Sequence, residues 1–128
     1  MNKIKITVEG IELSATLNES FTAKKIWEAL PIEGSANTWG DEIYFSIPVN
    51  LKEATNARAD VAVGELGYWP TGKAFCIFFG PTPVSSGQQP RAASPVNVFG
   101  KVDGDATQLR QVGQGSKVHV TRDEQAER

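Results

Sequence analysis

Glu65-Leu66-Gly67-Tyr68-Trp69-Pro70-Thr71-Gly72-Lys73-Ala74-Phe75-Cys76-Ile77-Phe78-Phe79-Gly80-Pro81-Thr82-Pro83 is the stretch on which the fold turns. Ala74 to Phe79 is an unbroken apolar run between Gly72 and Gly80-Pro81, too short for a helix and suited to a strand buried at the centre of a sheet. Period-two alternation sends Phe75, Ile77 and Phe79 into one core and Ala74, Cys76 and Phe78 toward the opposite face. Tyr68 and Trp69 stand beside the turn residues Pro70 and Gly72, where large amphipathic rings on a loop either wall a ligand groove or close the end of the core.

Upstream of this strand, Ile4, Ile6 and Val8 alternate with polar residues, as do Ile11, Leu13, Ala15 and Leu17. A two-residue turn at Glu9-Gly10 sets Val8 opposite Ile11, Ile6 opposite Leu13 and Ile4 opposite Ala15, so one face of the hairpin is apolar throughout. Ser20 caps a predicted amphipathic helix with Ala23, Ile26, Trp27 and Leu30 on its core stripe, and Pro31 stops it. Trp27 is read as core. Pro31 to Ser35 reads as turn, Gly40-Asp41 as the turn of a strand pair reaching Ile47, and Lys52 to Asp60 as helical or irregular. Downstream, the proline-rich segment Pro81 to Pro95 predicts a long loop of the kind that often carries function. Val96 to Val102 reads as a strand, Thr107 to Val112 as a short helical turn and Lys117 to Thr121 as a last strand, with a charged, fraying tail over 122–128. About eight short strands with one helix and no βαβ alternation predict an all-β fold: a closed eight-stranded barrel, one domain over 1–121, with an amphipathic helix across an opening.

Composition narrows the function. The chain has 128 residues, 40% hydrophobic and 22% charged, which is ordinary for a globular domain able to bury about two-thirds of its surface. A net charge of −2 lacks the basic excess of a dedicated nucleic-acid binder. One cysteine and one histidine cannot build a Cys/His zinc site, so no metal or cofactor is expected. Lys3 and Lys5 interrupt any leader-like apolar run, and no long apolar stretch follows. A cytoplasmic protein without membrane contact, monomeric or homodimeric, is the expectation. His119 alternates with Val118 and Val120 and so faces outward, Gly113 to Lys117 reads as a turn, and Asp103 and Asp105 flank the turn at Gly104. Glu42, Asp60 and Glu65 are carboxylates whose mutual distances sequence does not give.

Val96-Asn97-Val98-Phe99-Gly100-Lys101-Val102 with the last strand resembles the corresponding region of cyclophilins, and Gly72 to Ile77 is similar to their central strand. Tyr68 to Pro83 more closely resembles the Tyr-Trp-Pro-x-Gly-x-Ala-x-x-Ile-Phe-Phe-Gly-Pro-Thr-Pro signature of small prokaryotic cyclophilin-like proteins of unassigned function. The resemblance implies the barrel but not the isomerase residues: the family's central-strand Gln and Phe fall on Ala74 and Cys76, its pocket His on Val96, the Trp before it near Arg91, and its Arg within Tyr44 to Ser46. Lowering a peptide-rotation barrier of about 18–20 kcal/mol needs contacts that strengthen in the twisted state. Without that Arg, a domain binding a small molecule or short peptide is expected, with weak prolyl isomerase activity or a subunit role in a larger enzyme assembly as alternatives. The candidate ligand-contacting residues are Tyr68, Trp69, Cys76, Phe78, Thr82 and Arg91, the last as a substitute cation. No catalytic residue is assigned.

Overall fold

The computed structural model describes residues 2–123, so the part of the expected tail beyond Asp123 lies outside the described residues. The strands are β1 (Lys3–Val8), β2 (Ile11–Leu17), β3 (Ile32–Ser35), β4 (Asn37–Thr38), β5 (Glu42–Ser46), β6 (Arg58–Asp60), β7 (Glu65–Trp69), β8 (Ala74–Phe78), β9 (Arg91–Val102) and β10 (Lys117–Arg122). One α-helix, α1 (Phe21–Ala29), follows the first hairpin, and short 3-10 helices occupy Pro70–Gly72 and Ala106–Gln111.

The protein is mainly β, with antiparallel pairing running β3-β10-β1-β2-β9-β7-β8-β5-β4 and β6 added on β9. The expected eight strands are ten, and the ladder does not close on itself: β3 and β4 are its two ends. Near this break, Gly34 of β3 packs on the Phe45 ring, where a Cβ would lie 2.7 Å from a ring carbon. The segment read as turn at 31–35 is therefore β3, paired with β10, and its turn-like glycine is there for that close approach.

The first hairpin has the expected register, Val8 to Ile11, Ile6 to Leu13 and Ile4 to Ala15. Its turn puts Glu9 and Gly10 at φ 49° and 78°, the left-handed pair whose twist matches the strands. In α1, Ser20 accepts from the Ala23 N–H at 3.1 Å as the N-cap. Ile26 is fully buried, but Trp27 is only half-buried: the Arg122 guanidinium lies 4.7 Å from its ring centroid and donates to its carbonyl, so Trp27 sits at the rim of the core. Arg122 itself ends β10 instead of starting a frayed tail.

Two further boundaries differ from expectation. The loop after β8 ends at Pro90, because Arg91 to Pro95 already belong to β9, whose irregular pairing joins Asp60 to Arg91 and Arg58 to Val96. Proline is tolerated where such an irregularity asks no ladder N–H of it. The segment over 52–57 is irregular and 58–60 form the short β6. No helix among the described residues is long and apolar enough to cross a membrane.

Strand β8 is buried at every position and separates two cores. Phe75, Ile77 and Phe79 enter the large inner core with Ile4, Ile6, Leu17, Ile43, Phe45, Leu66, Tyr68 and Phe99. Ala74, Cys76 and Phe78 enter a small outer core with Val61, Ala92 and Val96, against which Tyr44, Trp69 and Val98 are partly buried. This is the expected alternation.

Candidate functional site

The outer core opens into a cleft of about 210 Å³ lined by Trp39, Glu42, Tyr44, Trp69, Ala92, Ala93 and Val96. Three parts of the fold meet there: the β4–β5 hairpin, the end of β7, and the first half of β9.

Alternation places the hairpin's contribution. In β5, Ile43 and Phe45 point to the inner core, so Glu42 and Tyr44 face outward, opposite Phe78 and Cys76 of β8. In β7, Leu66 and Tyr68 point inward, whereas Gly67 and Trp69 lie on the outer face. Gly67 leaves space for the outer core: a Cβ there would be 2.6 Å from Val96 Cγ2. Trp69 and Tyr44 meet at a 77° interplanar angle with centroids 6.2 Å apart, an edge-to-face corner. The Trp69 indole N–H donates to Ser94 Oγ at 2.6 Å, tying one wall of the cleft to β9.

The signature stretch builds this cleft. Gly72 lies under the Trp69 ring, where a Cβ would approach two ring carbons at 2.8 Å. Gly80 meets the turn before β5: a Cβ there would lie 2.2 Å from an Asp41 carboxylate oxygen. Asp41 N–H donates to the Pro81 carbonyl at 3.0 Å and Phe79 N–H to the Asp41 carbonyl at 2.9 Å. Gly40, at φ 60°, packs against Thr82 and Pro83. Tyr68 to Pro83 thus fixes the Trp69 wall and, through Gly80 to Pro83, anchors the turn that delivers Trp39 and Glu42.

Glu42 is the unusual group. It is 5% exposed, and its Oε1 has no hydrogen-bond partner although it is fully buried. Burial pushes its pKa up from 4.5 to about 7, the nearby Cys76 thiol partly offsetting the rise, although that thiol's hydrogen bond goes to the Ala74 carbonyl at 3.9 Å. Cys76 is buried and its thiol is held well above 9.0, first by burial and then by the nearby Glu42 charge, so it is an inert neutral thiol and not a nucleophile.

The sequence candidates divide. Trp69 lines the cleft, and Cys76 and Phe78 pack beneath it in the outer core. Tyr68 does not reach it: the run expected to be loop is strand β7, and its parity turns Tyr68 into the inner core, where the hydroxyl donates to Val49 O at 2.6 Å and accepts from Leu51 N–H at 3.1 Å. Thr82 ties the loop to β9, donating to the Arg91 carbonyl at 2.5 Å. The Arg91 guanidinium lies 3.9 Å from Asp60 and is not among the lining groups. Sequence reasoning had no signal for Trp39, Ala92 or Ala93, and for Glu42 only its class, since its burial comes from strands distant in sequence.

Other polar groups are committed to structure. Glu65 takes both Arg58 nitrogens at 2.9 Å, and Asp103 holds Lys3 at 2.8 Å and Thr16 at 2.6 Å. Asp105 caps the second 3-10 helix, and His119 Nδ1 lies 3.2 Å from Glu33. Asn97 is buried, accepting from Ala54 N–H at 2.8 Å and donating to Lys52 O at 3.0 Å, so it pins the irregular segment to β9. Among the described residues no cluster of His, Cys, Asp and Glu is arranged to hold a metal ion.

Residues 2–121 match the family model described as Cyclophilin-like. The chain belongs to the cyclophilin-like family. The cyclophilin-like chain is similar over 94% of both lengths, at 39% identity and a TM-score of 0.80, to the solution structure of the hypothetical protein AF2241 from Archaeoglobus fulgidus. It is also similar in fold to McbB, solved in complex with tryptophan, at 19% identity and a TM-score of 0.71, with 94% of this chain matching 44% of that one. No curated protein matches it. Laid on the structure, three of the positions on which cyclophilin motifs fall, Ala74, Cys76 and Val96, come together on the outer face of the sheet, whereas the Tyr44 to Ser46 stretch matched to the family's Arg is split, Tyr44 facing outward and Phe45 entering the inner core.

Proposed function

We propose that this cyclophilin-like domain is a binding module whose ligand site is the outer cleft, taking a small molecule or the end of a short peptide. The observation that carries the reading is Glu42: a buried carboxyl oxygen without a partner, at an opening walled by aromatic and apolar side chains. Buried polar groups are nearly always paired, and one left unpaired beside an apolar cleft is a group that an entering ligand can complete. The size of the cleft suits a ring or a side chain, so selection falls on the end of a molecule.

A second reading, weak prolyl isomerisation, draws on three motif-matched positions, Ala74, Cys76 and Val96, that share this face. Against strong activity, no arginine among the described residues lines the cleft to polarise a prolyl amide.

One experiment addresses both. A fragment library is screened by thermal shift against the wild type and Trp69→Ala, and Xaa-Pro peptides are followed by NMR exchange, slow enough uncatalysed for modest acceleration to register. Fragments at a hundredfold excess over Kd stabilise by about 2.7 kcal/mol, and Trp69→Ala is expected to abolish that response. An undiminished response in Trp69→Ala overturns the cleft assignment. Accelerated exchange moves the protein to the second reading.

A further inference from the structure

Three features of the cleft bear on what enters it. Glu42 is the carboxyl among the described lining residues, and its buried Oε1 has no hydrogen-bond partner. Among the described residues no basic side chain lines the cleft. The aromatic residues Trp39, Tyr44 and Trp69 all contribute to its walls.

An anion entering would meet a carboxyl with no counter-charge. A neutral donor would fill Oε1 but leave any charge on Glu42 unbalanced in an apolar setting. A cation fills the acceptor, balances the charge, and is attracted by aromatic rings. Resting on the reading of the cleft as the ligand site, we infer that its occupant is a small organic cation: a primary or secondary ammonium on an apolar or aromatic body, with its N–H donated to Glu42 Oε1.

The surrounding groups do not supply that cation. Asp41, next in the chain, takes the Arg110 Nε–H at 3.0 Å. Arg91 faces Asp60. From β8 the Cys76 thiol faces Glu42, from β5 itself comes the Tyr44 phenol, and the β9 side of the cleft offers Ala92, Ala93 and Val96.

Occupation then couples to protons. The free carboxyl is protonated over half of its population below about 7, and it must ionise to pair with an ammonium. Affinity for an ammonium therefore rises roughly tenfold from pH 6 to pH 8 and levels off above.

The test compares phenethylammonium, the neutral 3-phenylpropanol and the anionic 3-phenylpropanoate by calorimetry and NMR between pH 5.5 and 8.5. The wild type is set beside Glu42→Gln, and beside Ala93→Leu, which fills the cleft mouth at an exposed position and leaves the core untouched. Expected are preference for the ammonium, its pH-dependent gain with proton release, at least a tenfold loss with a flat profile in Glu42→Gln, and weakened binding in Ala93→Leu. The alcohol binding as well as the ammonium, in an Ala93→Leu-sensitive way, overturns the cation inference and leaves the cleft reading standing. Binding of none of the three at millimolar concentration overturns both. Ammonium binding that Glu42→Gln leaves unchanged, with its melting transition intact, overturns the role of Glu42.

Discussion

On its inner face, β8 sets Phe75 between Phe45, stacked at 5.1 Å, and Phe99, edge-on at 5.0 Å, in a core whose polar intruder, the Tyr68 hydroxyl, has both a donor and an acceptor partner. On its outer face the same strand sets small Ala74 and Cys76 beside Phe78, and the layer above them stops short, leaving a cleft and an unpaired carboxyl. Packing on the first side is complete, so its residues report on stability. Packing on the second side is incomplete at a polar atom, and that is where a ligand has something to supply.

The sharpest way to break this contrast is truncation on each face. Phe75→Ala removes a fully enclosed ring and is expected to cost about 3–5 kcal/mol in urea denaturation. Cys76→Ala, one residue on and facing the other way, is expected to cost about 1 kcal/mol. Equal losses would show that the outer layer is as tightly packed as the inner one.

How much of this was legible follows the range of the forces involved. The first hairpin, the cap at Ser20 and the two faces of β8 are written in local periodicity and turn chemistry, and the chain obeys them. Tyr68 misled because Pro70 and Gly72 suggest a loop, whereas pairing with β8 and β9 holds Glu65 to Trp69 extended and fixes the parity that buries the tyrosine. Arg91 to Pro95 looked like loop because proline opposes a ladder, yet β6 pairs irregularly with that segment. Trp69 was found through its neighbours in the signature. Glu42 was not distinguishable from other carboxylates, because its surroundings are made by strands distant in sequence, β8 beside it and β9 across the cleft.

Acid titration sharpens the comparison through that carboxyl. Its pKa is about 7 in the folded protein against 4.5 ordinarily, so the folded state binds the proton more tightly. The contribution of this one carboxyl is therefore fully present below about 4.5, falls as pH rises, and is gone above about 7; its whole change is about 3 kcal/mol. Glu65 and Asp103 work in the opposite sense, since hydrogen bonds from Arg58 and from Lys3 and Thr16 hold their pKa values down against burial. Their contributions are lost at more acidic pH, below the window in which Glu42 titrates. Denaturation midpoints at pH 5 and pH 8 are expected to converge in Glu42→Gln. A wild type equally stable at both would mean that water or a neighbouring group already satisfies Oε1.

The smallest expected effect on stability probes how the cleft is held open. Trp69 is half-buried, and its indole N–H reaches Ser94 on the segment that forms the opposite side. Ser94→Ala removes one hydrogen bond at a half-buried site, which lowers stability by about 0.5–1.5 kcal/mol. Its consequence for binding is larger in proportion, because an indole free to change rotamer must be ordered again when the ligand arrives. Ligand affinity is expected to fall several-fold while the denaturation midpoint moves little, and tryptophan fluorescence reports the released ring. On the inner face no such separation is available, since each side chain there is fixed by neighbours on every side. A Ser94→Ala protein that loses stability and affinity in the same proportion would show that the Trp69 wall belongs to the packed core after all.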